Sequence, residues 1–131
     1  MKAIILAGGK GTRLAPYTTV FPKPLMPIGD RPILEIVIRR LVEAGITDII
    51  LAVGYLAELV KAFFNDGARW GARLQYSREE TPLGTAGPLG LLQDQLDETF
   101  IVMNGDVLTS VSFSDLLSFH RQSRAIATVG L

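Results

Sequence analysis

Residues 2–25 read KAIILAGGKGTRLAPYTTVFPKPL. The first part, Lys2 to Ala7, is a short apolar run that predicts a buried strand. Gly8, Gly9 and Gly11 follow at once, where the backbone can turn tightly and come close to a ligand. Arg13 and Lys23 place two cations in the same connection. Backbone N–H groups on a permissive loop, with cations at a strand's end, suit a polyphosphate.

Two familiar glycine-rich loops fail on spacing. A Walker A loop needs Gly-x-x-x-x-Gly-Lys followed by Ser or Thr. Here Lys10 follows Gly9, but Gly11 follows Lys10 and the first glycine is misplaced. The dinucleotide fingerprint needs Gly-x-Gly-x-x-Gly; Gly9 and Gly11 fit its first two positions, but Leu14 takes the third. No helix can follow directly, because Pro16, Pro22, Pro24, Pro27 and Pro32 interrupt the next residues. A connection this long is functional or disordered. The apolar anchors Leu14, Tyr17, Val20, Phe21, Leu25, Met26 and Ile28 argue against disorder.

Outward from this stretch the chain alternates. A helix is expected from Pro32 to Ala44, with Pro32 in its first turn and Gly45 at its stop. Asp48 to Val53 is a second near-continuous apolar run, expected of a strand covered on both faces. Leu56 to Asn65 reads as a helix ending near Asp66-Gly67, and Arg73 to Tyr76 as a short strand. Thr85 is a candidate N-cap for a helix from Ala86 to Gln93. Thr99 to Met103 is the fourth strand, Ser112 or Ser114 opens a helix through Gln122, and Ala125 to Val129 is a last strand. Strands alternating with helices predict an α/β fold, Rossmann-like, with a mainly parallel sheet flanked by helices. Ligands in such sheets bind beyond the carboxyl ends of the strands, at the switch in strand order. The glycine loop and Asp106 both follow strand ends, so both are candidates for that crevice.

At 131 residues the chain is at most one domain, and 48% apolar residues suffice for a core. Thirteen basic and thirteen acidic residues cancel. No global field therefore favours nucleic acid or an anionic membrane. No cysteine is present, which removes disulfides and thiolate zinc sites. No apolar run is long enough to span a bilayer, and Lys10 arrives too early for a secretory signal; a cytoplasmic setting is expected.

The order Gly-Gly-x-Gly-Thr-Arg-Leu, Pro16, Thr18 and Pro22-Lys23-Pro24-Leu25 closely resembles the sugar-nucleotide pyrophosphorylases, a nucleotidyltransferase family. The resemblance extends through Pro82-Leu83-Gly84-Thr85-Ala86-Gly87 and Asn104-Gly105-Asp106, and the Pro-Leu-Gly-Thr-Ala-Gly wording is most like the mannose-1-phosphate guanylyltransferases. It implies condensation of a sugar 1-phosphate with a nucleoside triphosphate to give a nucleotide sugar and pyrophosphate. By the resemblance, Arg13 and Lys23 are the catalytic cations and Asp106 holds Mg²⁺. The nucleotide lies on Leu6, Ala7, Gly8, Gly9, Gly11, Thr12, Arg13, Lys23, Glu79, Pro82, Gly84 and Thr85. The family domain is considerably longer, and its later part carries most of the sugar pocket and a second metal-binding acid. Residues 1–131 are therefore expected to be its N-terminal, nucleotide-binding part, truncated, inactive alone and homo-oligomeric at full length.

The residues add their own chemistry. Arginine offers phosphate a planar fork and lysine a compact charge. One carboxylate plus substrate phosphates is a common way to bind Mg²⁺; a turn aspartate after glycine is the plainer use. In the family a polar side chain reads the base edge, and counting back from Leu83-Gly84-Thr85 puts that position on Glu79. A carboxylate only accepts hydrogen bonds, and guanine presents two adjacent donors, so GTP is favoured. A solvated Glu79–Glu80 pair, with the base read by backbone, is the alternative. Other readings are a glucose-1-phosphate thymidylyl- or uridylyltransferase, and a non-catalytic pyrophosphorylase-like regulatory subunit. The presence of Arg13, Lys23 and Asp106 together favours an enzyme. His120 lies at helical spacing from Phe113, Leu116 and Leu117, which suits a core edge, and Trp70 and Tyr76 suit packing about the third strand. The helix from Ile33 to Val42 is apolar nearly all round, which requires deep burial or a covering surface.

Overall fold

The computed structural model describes residues 1–9, 15–16 and 20–131. In chain order the elements are β1 (Lys2–Ala7), β2 (Pro27–Ile28), β3 (Arg31–Pro32), α1 (Ile33–Glu43), β4 (Asp48–Val53), α2 (Ala57–Phe64), β5 (Arg73–Arg78), α3 (Gly87–Gly90), β6 (Ile101–Asn104) and α4 (Phe113–Ser123). The expected α/β fold is present. Four strands form one sheet in the order β5-β4-β1-β6, and every neighbouring pair is parallel. The chain builds outward from β1 to β4 and β5, then returns to place β6 on the other side of β1. The strand order therefore switches between β1 and β6.

β1 and β4 begin and end where their apolar runs do. Successive side chains of a strand point to opposite faces, and both faces are covered here. Ala3, Ile5 and Ala7 join one core with Leu34, Val37, Ile38 and Leu41 of α1 and Val60 and Phe64 of α2. Ile4 and Ile50 face the other way, against Leu92 with Leu89, Leu96 and Phe100. α1 is thus deeply buried, which answers for its nearly unbroken apolar surface. It stops at Gly45, at φ +81, whose N–H bonds to Val42 O at 2.9 Å. A left-handed glycine is the usual helix stop.

Several elements depart from expectation: the proline-rich connection holds the β2–β3 hairpin, Pro32 precedes α1 rather than opening its first turn, and β6 runs Ile101–Asn104 rather than Thr99–Met103. β5 runs on to Arg78, because its pairing with β4 continues to Val53↔Arg78 beyond the apolar residues. α3 is a single turn, and the position before it, Ala86, carries no side-chain cap. Thr85 therefore does not cap a helix to Gln93, and a separate 3₁₀ turn occupies Gln93–Gln95. Ala125–Val129 forms no strand. Ile126 and Val129 are exposed, and His120 Nδ1 instead lies 2.9 Å from Thr128 Oγ1. His120 thus links α4 to the segment that follows it. At the start of α4, Ser112 is the cap, accepting from Asp115 N. Among the described residues no helix is long and apolar enough to cross a membrane.

Glu35 is the one buried charged residue among those described, at 8% exposure in α1. Burial alone would push its carboxyl pKa up. Hydrogen bonds from Arg39 (Nε to Oε1, 2.8 Å) and Trp70, with the charges of Arg39 and Arg31, outweigh burial and hold it below the ordinary 4.5. A depressed native pKa gives stability that is present above the unfolded value and lost as pH falls through the native value. The melting temperature is therefore expected to fall as pH drops below 4.5, and Glu35→Gln to flatten that fall. Thermal melts of both proteins from pH 7 to 3 check this; parallel curves would refute the assignment.

Candidate functional site

The switch between β1 and β6 opens a cavity of about 530 Å³ at the carboxyl ends of the strands. Among the described residues, four chain segments form its walls. The end of β1 contributes Leu6, Ala7, Gly8 and Gly9, and the proline-rich connection contributes Lys23 and Pro24. Glu79, Pro82, Gly84 and Thr85 come from the loop after β5, and Asn104, Gly105 and Asp106 from the end of β6. Ten of the site residues expected from sequence thus meet in one cavity. Gly11, Thr12 and Arg13 lie outside the described residues. Asn104, Gly105 and Pro24 belong to recognised motifs but were not expected in the walls. Pro88 also lines the cavity, and no sequence signal pointed to it.

Local chemistry fixes each wall. Pro22, Pro24 and Leu25 are buried and anchor a 3₁₀ turn over Lys23–Leu25, closed by Leu25 N to Pro22 O at 2.9 Å. The turn carries Lys23 to the cavity, where its ammonium makes an ion pair with Asp106 Oδ2. Asp106 is held from behind: the Gly105 N–H donates to Leu6 O at 2.9 Å, extending the β1–β6 ladder by one bond. Residues 83 positions apart in sequence thus form one charge pair, facing the glycine turn across the crevice.

The loop after β5 is fastened as firmly. The Glu79 N–H donates to Val53 O at 2.9 Å. Its Oε2 accepts from the Leu83 N–H at 3.1 Å, which closes the loop on itself. Its Oε1 would lie only 2.7 Å from a Cβ at Gly8, so the carboxylate packs over Gly8 in space that glycine alone leaves open. Glu79 is half-buried while Glu80 is exposed, so the two do not form a solvated pair. Gly84 has φ +76, a conformation that favours glycine. Thr85, relieved of any capping role, faces the cavity.

Trp70 and Tyr76 have other work. Trp70 packs between Phe63 and Phe64, with ring centroids at 6.0 and 5.0 Å. The Tyr76 hydroxyl donates to Asn65 O at 2.6 Å, and burial with the nearby Asp66 charge pushes its pKa up to about 12.

The family model for nucleotidyl transferases matches residues 2–131. Over 98% of its length the chain is 44% identical to the mannose-1-phosphate guanylyltransferase catalytic subunit beta of Danio rerio. It is 42% identical to the mannose-1-phosphate guanylyltransferase of Mycobacterium tuberculosis, again over 98% of the chain. It spans 37% and 36% of those relatives' own lengths. Among solved structures, HddC from Yersinia pseudotuberculosis complexed with GMP-PN superposes with a TM-score of 0.80 at 28% identity, covering 91% of this chain and 53% of that one. A UDP-glucose pyrophosphorylase complexed with UDP-glucose shares the fold, at a TM-score of 0.77 and 20% identity over 94% of this chain and 54% of that one. The family match runs through every wall of the crevice, and this chain belongs to the nucleotidyl transferase family.

Proposed function

We propose that this chain is the nucleotide-activating part of a sugar-phosphate nucleotidyltransferase, with GTP and mannose 1-phosphate as its substrates. The observation that carries the reading is the Lys23–Asp106 pair, set opposite a glycine turn at the switch of a parallel sheet. In the reaction a sugar-phosphate oxygen attacks the α-phosphorus in line, one P–O bond forms, another breaks and pyrophosphate leaves. Little covalent work falls to the protein; it positions two polyanions and neutralises developing charge. Gly8 and Gly9 offer backbone to the phosphates, and Lys23 offers its ammonium. Arg13 is assigned the same role from sequence.

Asp106 fits a magnesium site. Its carboxylate already attracts a cation. Among the described residues no group of three or more His, Cys, Asp or Glu could hold a metal by itself. A Mg²⁺ ion at Asp106 would therefore complete its shell with nucleotide phosphates, as this ion commonly does. When bound, it supplies charge neutralisation on the phosphate oxygens. A cytoplasmic, homo-oligomeric enzyme is the setting this reading expects. A regulatory subunit has no use for a paired phosphate cation and metal carboxylate.

Glu79 supplies the base preference. Its carboxylate is held in place by the Leu83 N–H and Gly8, and its remaining lone pairs accept guanine's adjacent donors. Hydrogen bonds to a charged group are worth about 1.5–3 kcal/mol, roughly tenfold or more in affinity. Competition among GTP, dTTP, UTP and CTP is expected to show GTP ahead by that factor, and Glu79→Gln to remove most of the lead. Equal binding of all four nucleotides would sink the guanylyl assignment. The names of the relatives from Danio rerio and Mycobacterium tuberculosis support it.

A further inference from the structure

The proposed metal carboxylate and the proposed phosphate cation form an ion pair with each other. We propose that Lys23 is a built-in competitor for the divalent cation. Its ammonium holds the Asp106 carboxylate until a triphosphate draws the lysine away and opens that carboxylate to the metal. The inference rests on reading Asp106 as the metal-holding residue.

Three observations carry it. Each member of the pair is the other's sole ion-pair partner among the described residues. Their side chains are 36% and 31% exposed, so ligands can reach both. Their backbones are fixed separately, Lys23 by the buried Pro22, Pro24 and Leu25 and Asp106 by the Gly105–Leu6 hydrogen bond. The exchange therefore needs no movement of either element, only rotation of a flexible four-carbon stem. A lysine cannot pair fully with a carboxylate and a phosphate at once while a divalent ion takes the same carboxylate. Metal alone and polyphosphate alone must each break the pair, whereas together they break it once. Binding of either then favours the other, and by linkage the coupling is reciprocal.

The test uses Mn²⁺ alone and metal-free inorganic tripolyphosphate, so it does not depend on any base preference. The 131-residue chain, Lys23→Met, Asp106→Asn and the double variant are titrated with Mn²⁺, and free Mn²⁺ is followed by electron paramagnetic resonance. Lys23→Met is expected to bind Mn²⁺ about two- to fivefold tighter, the scale of an ion pair this exposed. Asp106→Asn is expected to lose that binding. With tripolyphosphate in EDTA, Asp106→Asn is expected to bind about two- to fivefold tighter when Lys23 is present, and to gain nothing in the Lys23→Met background. The proposal is overturned if Lys23→Met binds Mn²⁺ no tighter than the parent. It is equally overturned if the Asp106→Asn gain survives undiminished without Lys23, because that gain would be general charge repulsion. Loss of GTP preference would count against the proposed function and leave both arms as they are.

Discussion

Lys23→Ala is expected to slow nucleotidyl transfer by about 10²–10³-fold in any form of the protein that turns over, the range for removing one preorganised donor from a developing charge. Binding of Mg²⁺–GTP is expected to weaken as well, by roughly tenfold or more, the scale of a charge-assisted hydrogen bond. The fold is not expected to suffer. The side chain is 36% exposed, and the turn that carries it is held by Pro22, Pro24 and Leu25 rather than by the ammonium. An unchanged melting temperature with collapsed turnover is thus the signature. Lys23→Arg is expected to restore only part of the rate, because a planar fork does not replace a compact charge at one phosphate oxygen. Steady-state kinetics with a parallel melt decide the matter, and wild-type turnover in Lys23→Ala would remove Lys23 from the chemistry.

The contrast between metal-alone and nucleotide binding sharpens this result. If Lys23 competes for Asp106, its removal helps Mn²⁺ and harms the triphosphate. A lysine that merely braced the loop would harm both or neither.

The sequence was most legible where burial is symmetric. β1 and β4 lie between two packed layers, so nearly every residue is apolar and the runs mark the strand ends. β5 is an edge strand; its last two residues, Ser77-Arg78, are added by backbone pairing that leaves no apolar trace. Ala125–Val129 shows the converse. Its composition suits a strand, but a strand exists only where its backbone groups find partners, and this segment meets α4 through Thr128 instead. In the site, the family resemblance pointed to Lys23, Glu79 and Asp106 singly. Their relations were out of reach, because contacts across 83 residues, or between Glu79 and Gly8, come from the order of strands in the sheet. The same topology put Asn104 and Gly105 in the cavity wall.

Phe64→Ala is expected to have the largest effect on stability, about 3–5 kcal/mol. Phe64 is 1% exposed and closes the last turn of α2, with its ring 4.9 Å from Phe63 and 5.0 Å from Trp70. Truncation opens a cavity between that helix and the sheet and removes support from Trp70. Trp70 in turn holds the Glu35 carboxylate of α1, so the damage spreads between two helices. Domains of this kind have total stabilities of about 5–15 kcal/mol, so the variant is expected to be partly unfolded at 37 °C. The nucleotide site should nevertheless survive in the molecules that remain folded. A helix joining two parallel strands runs back from their carboxyl ends toward their amino ends, so Phe64, in the last turn of α2 between β4 and β5, sits at the end far from the crevice. Urea denaturation gives the stability loss, and nucleotide titration at 10 °C gives the affinity of the folded fraction. A loss under about 1 kcal/mol would refute the core role given to Phe64, since the lost transfer energy of a buried ring alone is about 1.5–3 kcal/mol. A folded Phe64→Ala protein with weakened nucleotide binding would show that the core beneath the sheet reaches the crevice, contrary to the separation argued from the topology.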